Sequence, residues 1–174
     1  VELETSTGDI RVQSVSADLA AQSSTGRIEL REVSGRLDLR STTGALVLQE
    51  VRGPVRARST TGDQELRDVA GDVNTRSSTG DVELVNVEGA IDITTTTGAQ
   101  TGVDVTLTGD SSFGASTGSI EMDLTNELDA LEFDLSSTTG SLRVGGDRSQ
   151  RRLFLGSTGI RVQGETSTGS QRFY

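Results

Sequence analysis

Cysteine and histidine are both absent from the 174 residues. Without them there is no thiol nucleophile, no disulfide, no zinc site of the usual Cys/His kind and no Ser-His dyad. A cysteine-free chain fits either redox compartment. Lysine is missing too, so all 16 basic residues are arginine. There is no Trp, and four Phe and one Tyr are too few for a sandwich with a bulky core. The composition suits a narrow interior of Val, Leu, Ile and Thr. No apolar run approaches the roughly 18 residues that a membrane span requires. No signal peptide is visible, yet Val1 already lies inside a repeat and reads as the start of a trimmed product. That missing signal therefore carries no information on destination. The net charge of −10 disfavours nucleic acid or an anionic membrane surface as a direct partner.

What the chain has is a period. A Ser/Thr-Thr-Gly signature ends at Gly8, Gly26, Gly44, Gly62, Gly80 and Gly98, each 18 residues after the last. A second glycine set, Gly35, Gly53, Gly71 and Gly89, falls halfway. A short fixed period of strand-like composition marks a solenoid, whose repeats cannot fold alone and must stack. Aligning the repeats gives apolar columns. Ile10, Ile28, Leu46 and Val82 form one, followed by Val12, Leu30, Leu48, Leu66 and Leu84. Val15, Val33, Val51, Val69 and Val87 form an all-Val column, and Leu19, Leu37, Val55, Val73 and Ile91 another. Charged residues such as Glu29, Glu65 and Glu83 alternate with them, which is the period of a strand with one face in and one face out.

Each coil thus has two arms, a short one after the signature and a longer one after a bend carrying the Val column and the half-repeat Gly. Identical arms are expected to stack in parallel at about 4.8 Å per coil. The inward parity extends to Ser23, Ser41, Ser59, Ser77 and Thr95 and to Thr25, Thr43, Thr61, Thr79 and Thr97. These read as a hydroxyl ladder that bonds to itself or caps the corner backbone. After Gly98 the spacing loosens, with signature-like glycines at Gly118, Gly140, Gly159 and Gly169. The extra residues read as bulges or longer corners, and Gly145 to Arg152 as a surface loop. Phe113, Phe133, Phe154, Phe173 and Tyr174 all fall in this half, which suggests a wider core or an aromatic end cap.

The Ser-Thr-Thr-Gly-Asp-Val-Glu-Leu units, the half-repeat glycine and the 18–22 residue period resemble the bacterial family of adhesin domains built from β-strand repeats. The resemblance runs from Glu4 to Gly169. It implies an exported or envelope-attached protein, in the cell envelope or extracellular, of a family with no assigned enzymatic activity, and it supplies no catalytic residues.

Other functional classes fit less well. Calcium-binding nonapeptide repeats need Gly-Gly-x-Gly-x-Asp, whereas here Asp9, Asp63 and Asp81 follow single glycines and Arg27 and Ala45 share their column. Ice-binding arrays need a flat Thr face, and here Arg40, Arg58 and Arg76 flank the outward hydroxyl row. The carboxylate pairs Asp63/Glu65 and Asp81/Glu83 invite comparison with polysaccharide-cleaving solenoids. They lie in repeating columns, the pattern of a solvated face.

The expected architecture is all-β: a single-domain parallel β-solenoid over 1–174, two strands per ~18-residue coil, about nine or ten coils, right-handed by preference. Coils are regular over 1–98 and irregular over 99–174. The expected role is a non-enzymatic structural or adhesin-like scaffold, without catalytic, cofactor or metal residues. One alternative is an extracellular filament that self-assembles head to tail, with the first strand edge at Val1 and Leu3 meeting Phe173 and Tyr174. Another is a surface binder of anionic glycans or cell-surface polymers along Arg40, Arg58 and Arg76, with Asp38 and Asp92 offsetting their repulsion.

Overall fold

The computed structural model describes residues 1–174, and strands dominate it from end to end. The first fourteen are β1 (Glu2–Thr7), β2 (Ile10–Ser16), β3 (Leu19–Thr25), β4 (Ile28–Ser34), β5 (Leu37–Thr43), β6 (Leu46–Arg52) and β7 (Val55–Thr61). They continue as β8 (Gln64–Ala70), β9 (Val73–Thr79), β10 (Val82–Gly89), β11 (Ile91–Thr97), β12 (Gln100–Leu107), β13 (Ser111–Thr117) and β14 (Ile120–Leu124). Odd-numbered strands stack into one parallel sheet and even-numbered strands into a second. The result is a two-sided parallel β-solenoid of about seven turns.

Register follows the sequence period. Leu19 pairs with Leu37, Leu37 with Val55 and Val55 with Val73. On the second sheet Val15 pairs with Val33, Val33 with Val51 and Val51 with Val69. A slip of one residue would turn each apolar column outward, so the narrow core holds the register. One continuous cluster of 36 buried apolar residues runs from Ile10 to Phe173.

Both arms are seven residues long in a typical coil. The expected short arm continues through its Val column because of a kink: Ser14, Glu32, Glu50, Asp68, Asn86 and Asp104 take φ of 53–57°. This left-handed residue breaks the alternation and returns Val33 and its equivalents to the inside. The glycine corners are tighter still. Gly44 has φ +139°, and a Cβ there would collide with the carbonyl oxygen of Gly26 beneath it.

Aspartates complete the corners. Asp63 accepts the N–H of Asp81 at 2.9 Å, Asp81 that of Ala99 at 2.7 Å, and Asp18 that of Arg36 at 2.8 Å. These carboxylates therefore satisfy backbone donors that the turn leaves free. At the half-repeat corner Arg36 occupies the acceptor position below residue 54, and residue 54 is the single proline, which has no N–H to satisfy.

The serine column behaves as a corner cap in part: Ser41 and Thr95 donate to the carbonyls of Gly44 and Gly98, each at 3.4 Å. Ser23, Ser59 and Ser77 are buried without a hydrogen-bond partner. The Thr25, Thr43, Thr61, Thr79 and Thr97 column is exposed, contrary to its expected inward parity. The chain has begun its corner there, and strand alternation no longer sets direction.

Beyond Leu124 the order of coils changes. A single 3-10 turn (Leu128–Ala130) leads to β15 (Leu131–Thr139), β16 (Leu142–Val144), β17 (Asp147–Ser149), β18 (Arg152–Leu155), β19 (Ile160–Thr168) and β20 (Gln171–Phe173). β19 inserts between β13 and β15, and β20 between β14 and β16. The last coil in sequence is thus an inner rung, and β15 with β16 lies outside it. β17 and β18 then fold back antiparallel on β16 and β15 as the outermost strands. The segment expected as a loop, Gly145 to Arg152, contains β17. Irregular register at Gly102/Val105 between β12 and β14 and a longer corner between β12 and β13 are the expected bulge and corner, while beyond Leu124 two further parallel rungs are added out of sequence order rather than as successive coils.

The core widens there, as the aromatic distribution suggests. Phe173 packs against Phe113 at 5.7 Å and Phe133 at 5.5 Å between ring centroids. On β19 Gly164 makes room for the Gln171 side chain, since a Cβ there would strike Gln171 and Leu135. Phe154 is exposed instead.

Candidate functional site

Arg40, Arg58 and Arg76 project from the outer face of the odd-numbered sheet on three consecutive strands. The register pairs Arg40 with Arg58 and Arg58 with Arg76, and all three side chains are exposed. Arg56 stands in the adjacent outward column, between Asp38 and Asn74. An outer hydroxyl row, Thr42, Thr60 and Ser78, runs beside them.

The expected charge balance is only half realised. Asp38 Oδ1 lies 3.4 Å from Arg40 Nε. Asp92 turns elsewhere, accepting from Asn74 Nδ2 at 2.6 Å and Ser112 Oγ at 2.7 Å. Arg56, Arg58 and Arg76 form no ion pair. Two unit charges one strand spacing apart, ~4.8 Å, repel by about 0.9 kcal/mol in a water-like dielectric. The row is thus a cationic strip that a bound anion would relieve. Arg56 was not legible as a member, because its column carries Ala20, Asp38, Asn74 and Asp92 in the other coils.

The carboxylates divide into structural roles. Asp63 caps a corner, while Glu65 bonds Arg67 on the outer face of the even sheet. That contact holds Arg67 above its usual value, Glu65 hydrogen bonding first and its charge second. Asp81 caps the next corner, and Glu83 reaches the same Arg67 at 3.5 Å. No group of three or more His, Cys, Asp or Glu is placed to hold a metal ion.

Buried glutamines were missed by column reading, since they interrupt an apolar column. Gln64 bonds the Arg76 carbonyl at 3.0 Å and the Thr75 hydroxyl. Gln100 bonds Gly114 O at 2.6 Å and Thr95 Oγ1 at 3.0 Å, and Gln171 bonds Ser136 O at 2.7 Å and Thr166 Oγ1 at 3.2 Å. Each crosses the interior between sheets. The paired Thr five residues before Gln100 and Gln171 is the signal that marks them.

The four residues named for end-to-end assembly do not lie at opposite ends. Val1 is exposed and Leu3 half-buried beside the open edge of β1. Phe173 is fully buried in an inner rung, and Tyr174 follows it with its hydroxyl donating to Glu121 at 2.9 Å. Phe173 and Tyr174 therefore cannot serve as the far half of a head-to-tail junction, because both flanks of β20 are already paired.

The fold and this repetitive surface define a β-solenoid repeat protein. Residues 69–163 match the family model Toastrack DUF4097, and the chain belongs to that family, whose function is unassigned. No curated protein matches it, and no solved structure does.

Proposed function

We propose that this protein is a non-enzymatic scaffold of the cell envelope or extracellular space that adheres to anionic surface polymers through the odd-numbered sheet. The observation that carries the reading is the in-register row Arg40–Arg58–Arg76, in which Arg58 and Arg76 have no carboxylate partner. A linear polyanion matches it in shape, because the cations recur along one line at strand spacing. The net charge of −10 keeps the remaining surface from binding anions indiscriminately. The envelope or extracellular location rests on the sequence resemblance to adhesin domains. The absence of turnover is supported by carboxylates that repeat as corner caps and ion-pair partners instead of converging on one site.

Retention on immobilised polygalacturonate and on heparin tests the reading. The native chain is expected to bind at low salt and elute as salt rises. The triple replacement Arg40→Gln, Arg58→Gln and Arg76→Gln should abolish retention while leaving the circular dichroism spectrum unchanged. Equal retention of both proteins would refute the assignment.

A further inference from the structure

A polar trough runs along the outer face of the odd-numbered sheet, beside the arginine row. Its floor is one outward column in unbroken register. Arg56 pairs with Asn74, Asn74 with Asp92, Asp92 with Ser112, Ser112 with Gln163 and Gln163 with Asp134. Three depressions of about 390, 360 and 390 Å³ lie along it. The first and second share Asp92 and Asp110, and the second and third share Gln163, so they form one channel. The column survives the rearranged order of coils, in which β19 stands between β13 and β15. It ends on Phe154, which pairs with Asp134 and is 56% exposed. From Arg56 to Phe154 there are six strand steps, ~29 Å.

The floor is ordered in advance. Asn74 Nδ2 and Ser112 Oγ both donate to the Asp92 carboxylate, at 2.6 and 2.7 Å, and Arg152 holds Asp134 at 3.2 Å. Side chains fixed in this way lose little rotamer entropy when a ligand arrives. Their chemistry selects the occupant. Every strand from β7 to β15 in this sheet is paired on both flanks, so none offers an edge to an added peptide strand. Asn74, Asp92, Ser112 and Gln163 give a protein partner no apolar or aromatic anchor. What they accept is hydroxyl groups, because a carboxylate offers only acceptors and an amide or a serine offers both senses. Phe154 supplies the one apolar surface, a ring face on which the C–H face of a sugar can pack.

We infer that this trough binds a linear glycan lengthwise, and that the anionic polymer proposed above is a uronic-acid polysaccharide. The inference rests on that reading for the carboxylates, which meet Arg56 and the row Arg40, Arg58 and Arg76. The hydroxyls meet Asn74, Asp92 and Gln163, and one sugar ring lies on Phe154. The row and the trough are parallel, since Arg58 stands two residues beyond Arg56 on β7. A chain with charges along one edge and hydroxyls along the other therefore satisfies both. A polyanion without hydroxyls satisfies the row alone.

Affinity electrophoresis of the full chain through gels carrying polygalacturonate or inorganic polyphosphate tests it. The native chain should be retarded by both, and by polygalacturonate to higher salt. Asp92→Ala removes a negative charge, so electrostatics alone predicts tighter binding of both polymers. Hydroxyl recognition predicts the opposite for one of them: polygalacturonate affinity should fall about tenfold while polyphosphate affinity does not fall. Phe154→Ala alters an exposed position without changing charge, and should lower polygalacturonate affinity alone. Unchanged circular dichroism establishes that both variants remain folded, and Gln163→Ala, at an exposed position, replaces Asp92→Ala if that variant fails the check. Undiminished polygalacturonate binding in either variant would overturn the inference and leave the arginine row standing. So would a native chain that binds polyphosphate and ignores polygalacturonate, or an equal fall for the two polymers, since hydroxyls would then play no part. Failure of the row is a separate result: the Arg40, Arg58 and Arg76 triple variant, whose trough is intact, would still be retarded by polyphosphate.

Discussion

The carboxylate of Asp9 accepts the backbone N–H of Arg27, one coil further along the rod, at 3.0 Å. This bond holds the Asp9 carboxyl below its usual 3.8; desolvation opposes the shift, and the Arg11 guanidinium adds to it. A carboxylate with a depressed folded value stabilises the fold fully above its unfolded value and stops doing so as pH falls through the folded value. The corner should therefore hold at neutral pH and weaken only below about pH 3.8. Asp9→Asn keeps an acceptor oxygen but cannot titrate, so thermal melts of this variant should show a shallower acid limb than the parent.

Phe173 should behave as a core residue despite lying next to the C-terminal residue. Its ring touches Phe113 and Phe133, which lie 60 and 40 residues earlier in sequence. Phe173→Ala should cost about 3–5 kcal/mol in denaturant unfolding. A loss under about 1 kcal/mol would show that β20 does not bind between β14 and β16.

Val51 sits in the middle of the all-Val column and is fully buried. Val51→Asp places an unpaired charge in a thin interior, at several kcal/mol. Because each coil touches only its neighbours, the loss should be local and should divide the unfolding transition in two. Hydrogen exchange resolved by residue would locate the damaged coils on either side of β6. Melting like the parent would contradict the inward assignment.

Gln64 and Thr75 form a buried polar pair across the two sheets. Gln64→Leu removes one partner and leaves the Thr75 hydroxyl with only a 3.4 Å contact to Ala57 O. The expected loss is about 1–3 kcal/mol. Adding Thr75→Val should recover most of it, because both polar groups are then gone. A double-mutant cycle in urea measures the coupling directly.

How much of this was legible from the sequence depends on the range of the interaction. The column of Val15, Val33, Val51, Val69 and Val87 could be read because one side chain repeated at a fixed distance reports one environment. The Arg40, Arg58 and Arg76 row was legible for the same reason. Its electrostatic state was not: whether Asp92 reaches an arginine depends on Asn74 and Ser112, which capture it first. The left-handed kink at Glu32 and its equivalents was hidden as well. Ser, Glu, Asp and Asn share that column, and no single residue type announces the conformation.

The sequence by itself determined the strand period, the 18-residue register and the apolar lining, since all three follow from local alternation and from glycine at the corners. Tertiary structure alone decided the order of the last coils. Nothing in Gln171-Arg172-Phe173 says that it lies between β14 and β16; the choice follows from packing, where Phe173 fills the gap between Phe113 and Phe133 and Gly164 leaves room for Gln171. That insertion places β15 and β16 outside the last coil in sequence, because strand pairing is satisfied by whichever neighbour completes the core, however far away it lies in the chain.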